Sequence, residues 1–350
     1  MTAVPGDVHA VLLPICGSLT VEPWTDDFLR AGGRSVLMGS SAEEYTARRI
    51  SDERRAAEPA EAMRAFTAAV AARSPGPVLV AVDAEPTGVQ RLEHLLPPLP
   101  DRNSTGQMPE EALEQAFSDY ARAARGLGVT LFLGPVADHI TGTNLWLNGR
   151  TLADDLESIA RIAVLYCKTV QAAGIAATAK HFPGHSDLVA NPVHEAVTLQ
   201  LGRDHVERNL MPFQRLVDAG VSAVMVGPVT VDAIDPENPA ASSRVLVDLL
   251  RQGLGFGGLI VSDDLDAVST MKGRSLGEVA VSAVAAGVEL LLIPGGAAVR
   301  ETAEALTGAV EDGRLTAATL AAAADKVRAL ARAAARKDLG SAMSGPHPGR

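Results

Sequence analysis

The stretch Thr178–His194, T-A-K-H-F-P-G-H-S-D-L-V-A-N-P-V-H, gathers groups that can move protons or hold a polar ligand: one lysine, three histidines, an aspartate and an asparagine. It begins as the end of the apolar, β-branched run Ile175–Thr178 and breaks at Pro183-Gly184 into a polar loop. A loop leaving a strand end rides on a rigid scaffold, so several side chains can be aimed at one point. Histidine titrates near neutrality and can serve there as acid, base or metal ligand. Zinc is the weaker reading, because Pro183-Gly184 forbids the helix that would put His181 and His185 on one face, and no metal is expected.

Other apolar runs also close on polar groups. V-A-V-D-A-E-P supplies Asp83 and Glu85; L-F-L-G-P-V-A-D-H, continuing to Arg150, supplies Asp138, His139 and Arg150; L-I-V-S-D-D-L supplies Ser262, Asp263 and Asp264. One charged residue at a strand end is as readily an ordinary surface residue as a functional one. Carboxylates and cations at four strand ends favour a site, with acids able to attack or to bind hydroxyls and Lys or Arg able to hold a polar ligand. Serine hydrolysis is not supported, since Ser262 lacks a G-x-S-x-G elbow.

These residues need a frame that brings distant strand ends together. Eight short runs read as strands: Val8–Ile15, Ser35–Met38, Val78–Asp83, Val129–Gly134, Ile175–Lys180, Val221–Val226, Leu259–Asp263 and Val288–Ile293. Helical spacing fills the intervals at Asp52–Ala72, Glu110–Arg125, Ala153–Ala173, Arg203–Ala219, Ser242–Gln252 and Leu276–Ala286. A glycine before the next strand, as in A-A-G-I and D-A-G-V, suits a helix C-terminus. Eight strands with helical crossovers predict an α/β fold, a single-domain (β/α)8 TIM barrel, whose active site lies at the C-terminal strand ends. An open dinucleotide-binding sheet would want G-x-G-x-x-G after the first strand, where Ile15–Thr20 reads I-C-G-S-L-T, and no cofactor is expected. Helices at Ala298–Val310 and Thr316–Ala335 are expected on the outside, Leu95–Met108 as a long loop, and residues 337–350 as a disordered tail after one catalytic domain over 1–336.

Composition agrees with a compact enzyme. The chain has 350 residues, 47% hydrophobic but only 3% aromatic, so its core must be built from Ala, Val, Leu and Ile. A net charge of −11 opposes a phosphate backbone, which excludes nucleic acid as an expected partner. Cys16 and Cys167 have neither disulfide nor zinc spacing and read as buried small hydrophobes. With no leader pattern and no apolar run near the ~18 residues of a membrane span, the expected location is the cytoplasm, with no membrane partner.

Three segments resemble the bacterial β-N-acetylglucosaminidases of glycoside hydrolase family 3. They are K-H-F-P-G-H-S at Lys180–Ser186, G-F-G-G-L-I-V-S-D-D-L at Gly255–Leu265, and the segment from Asp83 ending in V-Q-R at Arg91. The resemblance implies a (β/α)8 barrel that cleaves terminal β-linked N-acetylglucosamine, or a related amino sugar, with retention through a covalent glycosyl-aspartate. It implies Asp263 as nucleophile, and Asp83, Arg91, Arg150, Lys180 and His181 as groups binding the sugar. The general acid/base in this subgroup is a histidine on a mobile loop, matched here by His194, in place of the second carboxylate most retaining glycosidases use.

The chain departs from that pattern at several positions. Where the family carries an aspartate two residues before the histidine, this chain has Pro192, in a loop one residue longer. Asn191 is the nearest polar residue and can support the imidazole by hydrogen bond but not by charge. E-G-G-R becomes Glu85-Pro86-Thr87-Gly88, and Pro228 replaces the histidine expected after the sixth strand. Two alternatives follow: a glycosidase or phosphorylase acting on a modified amino-sugar glycoside in biosynthesis, and a sugar-binding relative that has lost turnover.

Overall fold

The computed structural model describes residues 5–336; the expected tail at 337–350 lies outside the described residues. Eight parallel strands form one sheet: β1 (Leu12–Cys16), β2 (Ser35–Met38), β3 (Leu79–Asp83), β4 (Leu131–Leu133), β5 (Ala176–Phe182), β6 (Ala223–Val226), β7 (Leu259–Ser262) and β8 (Leu291–Ile293). Their order is β7-β6-β5-β4-β3-β2-β1-β8. The ends meet through a parallel Val261–Leu290 bridge and through Ser262 N–H to Leu290 O at 2.9 Å, so the sheet nearly closes into the (β/α)8 barrel.

Local sequence explains most boundaries. The helix Leu276–Ala286 starts with a capping box between Ser275 and Glu278 and stops at Gly287, whose φ of 105° suits a residue without a Cβ. Asp155 caps Leu156–Ala172 by accepting from Ser158 N–H. The helical pattern at Asp52–Ala72 divides into Asp52–Ala57 and Ala60–Arg73, because Pro59 cannot donate to a continuous helix. Pro212 likewise starts a second helix, Met211–Asp218, after Arg203–Asn209. The apolar run from Val8 is not all strand: Pro5–Ala10 is helical and β1 begins at Leu12, a distinction that a short apolar run does not carry in its periodicity. Leu95–Met108 contains one helical turn, Arg102–Thr105, capped by Asp101.

Inside the barrel, Leu13, Leu37, Leu79, Leu131, Met225, Leu259, Val261 and Leu292 pack together. Val327, Leu330, Ala331 and Ala334 of the last helix, Ala317–Ala335, join that interior cluster. This helix was expected on the outside with Ala297–Glu311, but it closes the floor. Lys326 reaches the carbonyls of Gly257 and Gly258 before β7, and Arg125 reaches Ala334 O, so the helix crosses the N-terminal ends of the strands. An apolar face long enough to cap the barrel buries more surface there than against solvent-facing helices. The opposite, C-terminal rim stays open. A small sheet of Thr198–Leu199, Thr230–Val231 and Asp235–Pro239 borders it. No helix among the described residues is long and apolar enough to cross a membrane.

Candidate active site

At the open rim lies a cavity of about 250 Å³ whose lining includes Asp83, Trp146, Lys180, His181, Asn191, His194, Asp263 and Asp264. Its floor is apolar, formed by Ile15, Leu37, Leu133, Met225 and Leu292. A larger groove of about 830 Å³ runs outside the barrel between Pro23–Arg30 and Ala297–Glu311. Size does not identify the site; the converging polar groups of the smaller cavity do.

One wall is a buried ion-pair cluster. Lys180 Nζ lies 2.9 Å from Asp83 Oδ1 and 2.7 Å from Glu85 Oε1. Arg150 grips Glu85 with two contacts, Nε to Oε2 at 2.9 Å and Nη2 to Oε1 at 2.6 Å. Burial alone would lower the Lys180 pKa, but Asp83 and Glu85 outweigh it and raise it, so the ammonium is fixed. Burial would raise Glu85, yet Arg150 and Lys180 hold it well below the usual carboxylate range. Such a cluster costs desolvation and is retained by geometry; removing one partner strands the other charge.

A second wall is organised by Asp138, which is fully buried. Its Oδ2 accepts from His181 N–H at 2.9 Å and sits 2.8 Å from His181 Nδ1; its Oδ1 accepts from His185 N–H at 2.8 Å and sits 3.2 Å from His185 Nδ1. Burial pushes Asp138 up, but these two histidines more than reverse that and keep it ionised. Burial lowers the His181 pKa against the pull of Asp138 and Asp263, leaving the ring neutral with its proton on Nδ1. The Nε2 lone pair then faces Asp263 Oδ2 at 3.8 Å. The Trp146 ring packs on His181 at 4.4 Å and on His185 at 5.5 Å.

Asp263 follows β7 directly. Its Oδ1 accepts from Asp264 N–H at 2.8 Å, while Oδ2 is buried without a hydrogen-bond partner. Ser262, one residue earlier, is spent structurally, its Oγ accepting from Leu292 N–H across the barrel seam. Burial first, and then the Asp263 charge, raise the Asp264 pKa well above normal.

The remaining sequence-predicted residues fall in three settings. His194 and Asn191 line the cavity from the loop after β5, and no described residue hydrogen-bonds the His194 imidazole. Asn191 Oδ1 accepts from Val193 N–H at 3.0 Å, shaping the turn rather than touching that ring. Arg150 stands behind the wall, its guanidinium 5.4 Å from the Tyr45 ring and 5.5 Å from the Trp146 ring, with Nη1 buried and unpartnered. Arg91 lies apart from the lining: it pairs with Glu58 at 2.5 Å and donates to Gly39 O at 2.8 Å, bracing the backbone beside Ser40. Tyr45 and Trp146 were not singled out from the sequence. Their scarcity was the available signal, since the chain has three tyrosines and two tryptophans.

Comparison with known proteins gives the same frame. The family model described as glycosyl hydrolase family 3 N terminal domain matches residues 47–330. A protein named beta-hexosaminidase from Nitrosomonas eutropha is 33% identical over 236 residues, 65% of this chain and 68% of that one. One of the same name from Xanthomonas campestris pv. campestris is 31% identical over 251 residues, 69% of this chain and 76% of that one. Among solved structures, a glycoside hydrolase family 3 beta-N-acetylglucosaminidase from Paenibacillus superposes with a TM-score of 0.85 at 26% identity, covering 100% of this chain, which spans 65% of that chain. A beta-N-acetylhexosaminidase from Beutenbergia cavernae gives 0.81 at 26% identity, covering 95% of this chain and 99% of that one.

Proposed function

The chain belongs to glycosyl hydrolase family 3 and is a glycoside hydrolase of the β-N-acetylhexosaminidase type, and on that premise we propose that it cleaves a terminal β-linked N-acetylglucosamine or related amino sugar with retention. Asp263 is the nucleophile and His194 the general acid/base. The observation that carries the reading is the free Asp263 Oδ2, buried and unpartnered in the same cavity that His194 lines.

The chemistry follows from these groups. A cavity of about 250 Å³ suits one sugar ring with its leaving group toward solvent. The apolar floor takes a ring face, while Asp83, Lys180 and the His181 Nε2 lone pair meet hydroxyl and amide groups. Arg150 reinforces that wall through Glu85, and Arg91 braces it from behind.

With Oδ1 held by Asp264 N–H, Oδ2 attacks the anomeric carbon as the bond to the leaving oxygen breaks. The His194 imidazolium gives that oxygen its proton. The neutral imidazole then takes a proton from water, whose oxygen bonds to the anomeric carbon and releases the Asp263 carboxylate. Two inversions give net retention.

The test is a fluorinated N-acetylglucosaminyl trapping substrate read by mass spectrometry, with Asp263→Ala alongside. The expected result is a glycosyl adduct on the peptide holding Asp263 and a loss of turnover by roughly four orders of magnitude in the variant. Saccharide binding without an adduct would identify a binding protein and overturn the reading. Sugar phosphate as the main product in phosphate buffer would make it a phosphorylase.

A further inference from the structure

Asp263 and His194 sit on different loops, yet one short segment holds both. After Asp263 the chain runs through Leu265, whose N–H donates to Leu292 O at 3.1 Å, into the helical turn Val268–Met271. Thr270 Oγ1 donates to Pro228 O at 3.1 Å, so this segment is tied to the barrel on two sides. The His194 loop is tied to the segment in turn. Val268 N–H donates to Val193 O at 3.1 Å and Ser269 N–H to Pro192 O at 3.1 Å. On the far side of the histidine, Ser269 Oγ donates to Glu195 O at 2.7 Å and accepts from Val197 N–H at 2.8 Å.

These four bonds bracket His194: two fix the residues just before it and two the residues just after. Ser269 takes part in three of them and is 2% exposed, so water competes poorly for its hydroxyl. The bland explanation is ordinary loop packing. Against it stands the placement of the contacts, on both flanks of His194, whose imidazole no described residue hydrogen-bonds. Asn191 shapes the turn but does not orient the ring.

We infer that Ser269 is a positioning residue that latches the His194 loop to the nucleophile's own segment, so that proton donor and nucleophile share one reference frame. The inference rests on the reading of His194 as acid/base. It assigns to backbone latching the orienting work that a carboxylate beside the histidine would otherwise do.

The experiment measures kcat/KM for aryl N-acetyl-β-glucosaminides with leaving groups of graded acidity. Proton donation matters most for poor leaving groups, and a displaced acid therefore steepens the dependence on leaving-group pKa. Ser269→Ala is expected to lose about tenfold or more with the poorest leaving group, the loss shrinking as the leaving group improves. Ser269→Thr, which keeps the hydroxyl, restores the wild-type slope.

Val268→Pro is the second variant: it removes the N–H that reaches Val193 O and puts a ring CH2 against that carbonyl, which pushes this side of the loop off the segment. Val268 is the first residue of its helical turn, and Ala267 before it has φ −58° and ψ 138°, the extended conformation a residue preceding proline favours. The same steepening is expected. A loss equal for all leaving groups, or none, in both Ser269→Ala and Val268→Pro overturns the latch. His194→Ala separates the two claims: a steepened slope there with flat slopes in the latch variants sinks the latch alone, whereas an unsteepened slope in His194→Ala sinks the acid/base reading as well.

Discussion

Asp138→Asn changes one atom at the centre of the second wall, and its effect can be worked from the contacts. The carboxylate accepts from the backbone N–H groups of His181 and His185 and from His181 Nδ1 at 2.8 to 2.9 Å, and lies 3.2 Å from His185 Nδ1, which is also 3.0 Å from His181 O. An isosteric amide keeps one oxygen for one histidine and turns an NH2 toward the other. If the NH2 faces His185, its Nδ1 keeps the His181 carbonyl at 3.0 Å and only the backbone N–H goes unmet; one unmet buried donor costs about 1–3 kcal/mol of folding stability. Stability of a domain is typically about 5–15 kcal/mol, so the variant should fold with a lower urea midpoint. If the NH2 faces His181, its Nδ1 must give up the proton to accept, and Nε2 becomes a donor aimed at Asp263 Oδ2, 3.8 Å away. On the proposal that Asp263 is the nucleophile, that hydrogen bond would quench its free oxygen, so kcat/KM should fall together with stability. Urea denaturation, steady-state assay on an aryl substrate and nitrogen chemical shifts of the His181 ring test the chain of reasoning. A stability loss below about 1 kcal/mol with activity intact would refute it.

Three further outcomes follow from the same geometry. Gly227→Ala would bring a Cβ to 2.1 Å from His185 Cε1, so this buried ring must shift; a loss of about 1–3 kcal/mol in chemical denaturation is expected, and an unchanged midpoint would show the wall to be soft. Glu85 and Asp138 are held below the usual carboxylate range and Glu44 down to about 2, burial being outweighed in each by cations or hydrogen bonds. Depressed carboxylates stabilise the fold above their unfolded pKa near ~4, so stability should drop as pH falls from about 4 toward 2, and a flat profile there would contradict it. Asp264 has the opposite sign: its pKa is raised by burial and by Asp263, so its contribution is present below pH ~4 and lost as pH rises. Asp264→Asn should therefore gain stability at pH 7 relative to pH 4, and an equal change at both would count against the assignment.

The barrel was legible from the alternation of apolar runs with helical spacing, because burial on both faces forces β-branched, uninterrupted strands. Boundaries were less so. The run from Val8 is apolar in either conformation, and the helix at 317–335 showed an apolar face without showing that the face covers the floor. Strand-end placement brought Asp83, Lys180, His181 and Asp263 to one cavity, as period and topology required. Arg91 could be placed only by its neighbour Glu58, which lies 33 residues away in the chain.

By itself, then, the order of residues determined the element types, the barrel and the set of chemical groups at its rim, because each depends on local propensity and on which end of a strand a residue occupies. The tertiary structure alone decided which of those groups are free. Asp263 Oδ2 is left unpartnered while Ser262, Glu85 and Arg91 are consumed by neighbours. It also decided that the His194 loop is fastened by Ser269 rather than oriented by Asn191. Both outcomes turn on hydrogen-bond partners brought together by strand closure across long sequence separations, and no local pattern encodes them.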